Sequence, residues 1–282
     1  MIFSENILGI IFAITSALVW GSADFSGGFA TRKNSQYQVL AISAFSGMVV
    51  LILLAVVWQE SLPNTESIIW SILAGVSGAI GIAALYKALS ISDAAMVAPI
   101  AAVIGAALPV ILGIILVGVP KQNQLTGFVL AFVGIWMVSA GIKSSVATSR
   151  TGFLLAVVAG IAFGGFFILI AQVEAGKVFT PLVITRAAQF IVGLIFLRGS
   201  RQSFPSFTAN PLAILAGVLD AGGNLFFLIA RQYTRFDIAA VLSSLYPAAT
   251  VILASLVLKQ KLSKWQMIGL LFCLLATAFI SI

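Results

Sequence analysis

Two aspartates lie where hydrocarbon surroundings disfavour a charge. Asp24 and Asp220 each fall inside a long apolar run. A carboxylate at the centre of a bilayer helix costs at least ~2.5–3.5 kcal/mol, so it must face protein, water or a cation. Asp24 shares one helical face with Ala17, Trp20, Gly21 and Gly28 through i, i+3 and i+4 spacing. That face joins an anionic group to an aromatic wall and a surface that another backbone or a ligand can approach. Asp24 is also only six residues from Ala30, so the spacing equally allows a place among the headgroups. Asp220 stands within Leu219-Asp220-Ala221-Gly222-Gly223-Asn224, with Asn224 one turn further on the same face. Such a carboxylate can take up a proton in one state and release it in another, hold a cationic group, or lock two helices together.

Other side chains supply the complementary chemistry. The guanidinium of Arg186 can hold a solute carboxylate, pair with Asp220 or meet a lipid phosphate; a structural pairing is preferred. Lys87, next to Tyr86, has a stem long enough to snorkel to the surface. Arg231 and Arg235 sit at a helix end and read as surface anchors. Trp20, Tyr86, Phe163, Phe166, Phe167, Phe226, Phe227 and Tyr246 are candidate cavity walls, suited to amphipathic or cationic solutes. Pro99 and Pro247 each free a backbone carbonyl and kink a helix, although Pro109 shows that proline here is not rare. The substrate-binding or coupling set is therefore Trp20, Asp24, Tyr86, Pro99, Phe163, Phe167, Asp220, Asn224 and Tyr246.

What is missing narrows the classes. The chain has no histidine and one cysteine, Cys273, inside an apolar run. HExxH, GxSxG and P-loop patterns are absent, so no catalytic residue, metal or cofactor is expected, and any driving force must come from a gradient. The net charge of +7 is scattered among helix ends instead of forming a stripe, so no nucleic-acid partner is expected.

Positioning these residues falls to helices that cross a membrane. Hydrophobic residues make up 61% of the 282, charged residues only 8%, too few to cover a water-facing surface. Apolar stretches near twenty residues recur throughout, each able to cross ~30 Å of hydrocarbon. Alternating ten-residue barrel segments do not occur. Helices are expected over 7–30, 37–58, 67–90, 93–118 and 123–142, then 152–173, 179–197, 210–232, 236–258 and 264–281. The first is too long for a signal-peptide core and lacks basic residues before it, so it reads as a retained helix.

The two halves repeat each other at an offset of 141 to 143 residues. Gly9 and Trp20-Gly21 lie over Gly152 and Phe163-Gly164, Ala74-Gly75-Val76 over Ala216-Gly217-Val218, and Gln124-Leu125-Thr126-Gly127 over Gln266-Met267-Ile268-Gly269. Units of 1–145 and 146–282 follow, divided within the polar linker from Lys143 to Arg150. Five helices is an odd number, so the second unit enters from the opposite face. The fold class is an all-α integral membrane protein of ten helices in two inverted repeats, an arrangement that puts a site at the midplane. Glycines such as Gly127, Gly134, Gly75, Gly78 and Gly269 read as packing faces.

The run Ala17-Leu18-Val19-Trp20-Gly21-Ser22-Ala23-Asp24-Phe25, the duplicated five-helix units and the Pro-bearing fourth and ninth helices together resemble EamA-type members of the drug/metabolite transporter superfamily. The resemblance spans essentially the whole chain. Arg186, Ala98-Pro99 and Tyr246-Pro247 also match. Where members often carry Glu before the fifth and tenth helices, this chain has Gly118 and Gln260, and the second-helix counterpart of Arg186 reads as Ser43. The resemblance implies a central cavity lined by helices 1, 3, 4, 6, 8 and 9, with 5 and 10 peripheral.

The expected function is a secondary transporter exporting a small organic metabolite, an amino acid or related solute, by alternating access. Two alternatives stay open: efflux of cationic lipophilic drugs, and a non-transporting membrane scaffold or lipid-handling subunit. Membrane lipids and a coupling proton are the other expected partners, and the place is the plasma membrane, or the inner membrane in a bacterium. Loops after helices 1, 3, 5, 7 and 9 carry Arg32, Lys33, Lys143, Arg150, Arg198, Arg201, Lys259, Lys261 and Lys264 (the basic face below). The face bearing both termini (the terminal face) has Lys121, Lys177, Arg231 and Arg235. The positive-inside rule puts the termini outside the cytoplasm, whereas the resemblance implies both inside.

Overall fold

Residues 2–92, 94–140, 149–204, 206, 210–259 and 261–282 are described by a computed structural model of the chain. The boundary expected between 145 and 146, Gln260 and the side chain of Tyr86 lie outside them. Eleven helices follow in order: α1 Ile2–Ala30, α2 Gln36–Val57, α3 Thr65–Ile91, α4 Ala94–Val117, α5 Gln122–Ala140, α6 Arg150–Ile170, α7 Phe179–Gly199, α8 Pro211–Tyr233, α9 Phe236–Ser243, α10 Tyr246–Leu258 and α11 Lys264–Ser281. They make ten spans long and apolar enough to cross a membrane, and the described residues contain no strand. In lipid this follows from the need to satisfy every backbone N–H and C=O within the segment. The starts of α2, α3, α6, α8 and α11 are capped by Ser35, Asn64, Ser149, Asn210 and Ser263, whose side chains accept first-turn N–H groups.

One span, found over Phe236–Leu258 as expected, carries a local irregularity. The ninth span, read as continuous over 236–258, is interrupted at Ser244–Leu245 and restarts at Tyr246. Pro247 explains the restart, because it lacks an N–H and suits the first turn of a new helix. Pro99 and Pro109 lie inside α4, which stays helical throughout.

Contacts between halves come in exchanged pairs. Gly9 of α1 packs on Thr234 after α8, and Gly152 of α6 packs on Ser92 after α3. Trp20 of α1 lies over Gly223 of α8, and Phe163 of α6 over Gly81 of α3. Gly21 meets Tyr246 and Ala249, while Gly164 meets Gly105 and Leu108. Gly75 abuts Thr185 as Gly217 abuts Ser43, and Gly127 abuts Ala276 and Ile280 as Gly269 abuts Gly134 and Val138. Each contact has a partner with the two halves swapped, the signature of a two-fold relation. With five spans per half, the halves are oppositely oriented in the membrane. These glycines serve close helix approach, where a Cβ would collide with the facing helix.

The same pairs correct one assignment. Ser43 occupies the place of Thr185, so the counterpart of Arg186 is Ala44. A one-residue difference in offset, invisible in the apolar sequence, moved the match.

Around the bundle α1 packs on α8 and α10, α6 on α3 and α4, α2 on α7 and α8, and α3 on α7, while α5 and α11 pair with each other at the side. The main buried core runs through the middle from Trp20, Phe166, Phe167 and Phe227 to Phe128 and Ile280 at the α5–α11 seam.

Candidate functional site

Trp20 sits at the centre of a packed aromatic cluster within the buried core, termed the aromatic chamber below. Its ring centroid is 5.5 Å from that of Phe167, 6.1 Å from Phe227, 6.4 Å from Phe166 and 6.5 Å from Tyr246. Phe167 and Phe227 meet at 4.9 Å. Rings from α1, α6, α8 and α10 thus converge, mostly edge to face, the arrangement their quadrupoles favour. The chamber depends on Gly223, where any Cβ would enter the indole of Trp20.

Polar groups flank the chamber on one side. Arg186 of α7, only 2% exposed, places Nη1 2.5 Å from Oδ2 of Asp220 and donates from the same nitrogen to Gln189 at 2.8 Å. Its Nη2 has no partner among the described residues. Gln189 and Phe166 both crowd Gly78, which joins this network to the chamber. Asn224 is buried, and its amide donates to the backbone carbonyl of Asp220 at 2.6 Å, which leaves the Asp220 carboxylate to the arginine. Pairing within the membrane is what makes both charges tolerable there.

Asp24 lies one turn beyond Trp20 towards the basic face, within electrostatic reach of Asp220 and Tyr246. Asp24 and Gly28 are exposed on this inner face, and nothing lies within 4 Å of where a Gly28 Cβ would project. In the other repeat the same places are held by Phe167 and Ala171, which are 5% and 3% exposed. Asp220 corresponds to Gly78 and Arg186 to Ala44. One wall, from α1, α7 and α8, is therefore charged, and its symmetry mate from α6, α2 and α3 is aromatic or small.

Of the expected set, Trp20, Phe167 and Tyr246 meet in the chamber, with Asp24, Asp220 and Asn224 along its flank. Phe163 does not join them. It packs against Gly81 and Gly105 in a separate cluster with Ala84, Ala101 and Ala159. Pro99 is buried in α4, two residues from Val97, which packs with Ala88 and Ala156. Phe226 stacks on Phe12 at 6.2 Å, towards the terminal face. Gln189 was not anticipated, although a glutamine three residues after Arg186 in an apolar span was a visible signal.

Arg235 is not a surface anchor. It donates to Asp237 through Nε at 3.1 Å and Nη2 at 2.8 Å, and to the carbonyl of Gly118 at 2.7 Å. Asp237 is fully buried against Gly113. Arg231 donates to the carbonyl of Val173 at 2.9 Å. A groove of about 430 Å³ between α2 and α7, lined by Ile52, Val56, Glu60, Thr180 and Val183 among others, touches none of the chamber residues. No group of three His, Cys, Asp or Glu side chains that would hold a metal ion is found among the described residues.

Comparison with known proteins agrees with this architecture. Residues 7–140 and 150–282 each match the EamA-like transporter family. "Uncharacterized transporter YyaM" of Bacillus subtilis (strain 168) is 29% identical over 94 residues, which cover 33% of this chain and 31% of that protein, about a third of its length. "Uncharacterized protein MJ1333.1" of Methanocaldococcus jannaschii is 30% identical over 131 residues, 46% of this chain and 93% of that protein, which is therefore about one repeat long. A solved structure described as "Crystal structure of protein" superposes with a TM-score of 0.76 over 96% of this chain and 95% of that one, at 14% identity, a likeness of fold alone. Matched in both halves, with ten spans in two repeats, the chain belongs to the EamA-like transporter family, as a duplicated member of the drug/metabolite transporter superfamily.

Proposed function

We propose that this protein is a secondary transporter that exports a small amphipathic organic solute, an amino acid or a close relative, by alternating access between its two inverted repeats. The family makes it a membrane transporter of small solutes; substrate class, direction and mechanism are the step added. The observation that carries this reading is the broken symmetry of α1 and α6. Asp24 and Gly28 are exposed on the basic-face side of Trp20, while Phe167 and Ala171, at the same places in the other repeat, are buried. A two-fold scaffold accessible at one end and buried at the other has an alternative arrangement with the roles of the ends exchanged, which is the physical basis of alternating access.

The two walls suit a solute with one apolar and one charged side. The aromatic rings take an apolar body, and Asp24, which among the described residues has no cationic partner such as Arg186 gives Asp220, offers negative charge for an ammonium group or a coupling proton. A second reading, efflux of a lipophilic cation, is favoured by one observation: Arg186 is committed to Asp220, so the three groups together leave a net negative wall. Counterflow by proteoliposomes containing only this protein tests both. L-leucine counterflow that accelerates under a proton gradient supports the first reading. Transport of a lipophilic cation without leucine supports the second, and movement of neither, with the protein folded, overturns both.

A further inference from the structure

α2 and α7 are repeat counterparts that pack on each other, so the two ends of their seam are copies of one another. At the terminal end the Thr180 hydroxyl donates to the carbonyl of Ser61, and the N–H of Glu60 donates to the carbonyl of Ala55. At the basic end the Gln38 amide donates to the carbonyl of Ser203, and the N–H of Gln202 donates to the carbonyl of Leu197. Gln59 and Arg201 take the same left-handed turn, with φ of 50° and 55°. The backbones therefore match residue for residue. The side chains over the seam do not. At the basic end Leu197 is 2% exposed, and the ring of Phe204 meets that of Phe190 at 6.1 Å, so the chain covers its own seam. At the terminal end the same two places hold the much smaller Ala55 and Leu62, which is 77% exposed.

What these two replacements leave is the groove of about 430 Å³, bounded by Ile52, Ala55, Val56, Leu62, Val183 and Ile184. It opens on the hydrocarbon-facing side of two membrane spans. An empty groove forfeits dispersion contacts, and water in it finds few polar partners, so a hydrocarbon chain is the occupant that fits. The mouth adds a charge. Lys177 donates to the carbonyl of Ser61 at 3.0 Å and to its hydroxyl, between the groove residues Glu60 and Leu62. An ammonium has three N–H groups, so one remains for a ligand. The nearby carboxylates are otherwise engaged: Glu60 caps the start of α7, and Glu174 holds Asn64. The repeat counterpart of Lys177 is the uncharged Ser35, so gap and charge occur together at one end only. Exposed Trp58, beside the mouth, marks the level of the headgroups. We propose that this groove binds one anionic phospholipid of the surrounding bilayer, its acyl chain along the seam and its phosphate at Lys177. The lipid covers the terminal end of the seam as Leu197 and Phe204 cover the basic end.

Native mass spectrometry of the detergent-purified protein, given equimolar dioleoylphosphatidylglycerol and dioleoylphosphatidylcholine, tests the site. The expected result is one retained lipid per chain, with the anionic lipid preferred about fivefold, the size of one lysine's attraction for an anionic surface. Lys177→Gln should abolish the preference while a lipid is still retained. Ala55→Leu combined with Leu62→Phe copies the covered end into the open one, and should abolish retention of both lipids without lowering the melting temperature. Unchanged retention in this double variant overturns the site, as does a wild-type protein that holds no lipid. Equal retention of the two lipids by the wild type, or an unchanged preference in Lys177→Gln, overturns the anionic assignment. A dimer that the double variant dissolves would give the groove to a second copy and overturn the lipid as its occupant. If the double variant does not fold, Leu62→Phe alone, a change at an exposed position, decides through the same loss of retention.

Discussion

At the terminal face Glu60 accepts the backbone N–H groups of Val178 and Thr180 at 3.0 and 2.7 Å and the Thr180 hydroxyl at 2.8 Å, capping the start of α7. At the basic face the repeat counterpart of Glu60 is Gln202, whose amide oxygen takes the hydroxyl of Ser35 at the start of α2. Glu174 receives the backbone N–H and side-chain amide of Asn64, the N-cap of α3, at 3.1 and 2.9 Å. At the opposite end Asn34 receives the side-chain amide of Asn210, the N-cap of α8, at 2.8 Å. The Arg235–Asp237 clamp also belongs to the terminal face, and its counterparts in α4 are the uncharged Ala94 and Met96. Geometry is repeated while charge is not. Carboxylates on helix starts form stronger, charge-assisted bonds than neutral amides do. The end latched by carboxylates is where Phe167 and Ala171 are buried, and the end held by amides is where Asp24 is exposed. The chamber carries the same bias, with Arg186 and Asp220 in one repeat facing Ala44 and Gly78 in the other.

Removing charges from one side of this comparison should have graded effects. The largest is expected for Asp220→Asn, which strands a guanidinium that is only 2% exposed. A loss of about 3 kcal/mol should appear as a fall of several degrees in the melting temperature of the purified protein, because the unpaired charge stays buried. An unchanged melting temperature would show that the pair is dispensable to the fold. Next comes Asp237→Asn, expected to cost about 2 kcal/mol, since Arg235 is 24% exposed and can turn to water. It should also speed thiol labelling of a cysteine placed at Ala171, by loosening the latched end. The smallest contrast sets Glu60→Gln, at about 1 kcal/mol, against Gln202→Ala, at about 0.5 kcal/mol. Equal shifts in parallel melts would mean that the charge on Glu60 adds nothing to its cap.

The spans and their duplication were legible because hydropathy and glycine spacing are local properties. Gly9, Trp20-Gly21, Gly75 and Gly127 repeat as Gly152, Phe163-Gly164, Gly217 and Gly269 since each must let the same neighbouring helix approach. The Arg186–Asp220 pair was one of three options for the arginine; choosing among them needed the packing of α2, α7 and α8. Asp237 went unnoticed for a different reason. A charge two residues from Arg235 at a helix end reads as solvated, and only the approach of α4 at Gly113 buries it, with the Gly118 carbonyl just beyond α4 holding Arg235. Phe163 shared a symmetry position with Trp20, and a two-fold relation sends such positions to opposite sides of the axis. The interruption at Ser244–Leu245 left one local trace, Pro247, which Pro99 and Pro109 imitate without breaking α4.

Alternating access is tested most directly by thiol labelling in a Cys273→Ser background, with single cysteines at Gly28 and Ala171. These positions occupy the same place in the two repeats, one exposed and one buried. The account predicts fast reaction at 28 and slow reaction at 171 in the resting protein. Saturating leucine in exchange conditions should slow the first and speed the second. Equal rates at both positions, or rates that substrate leaves unchanged, would contradict a scaffold that opens its two ends in turn.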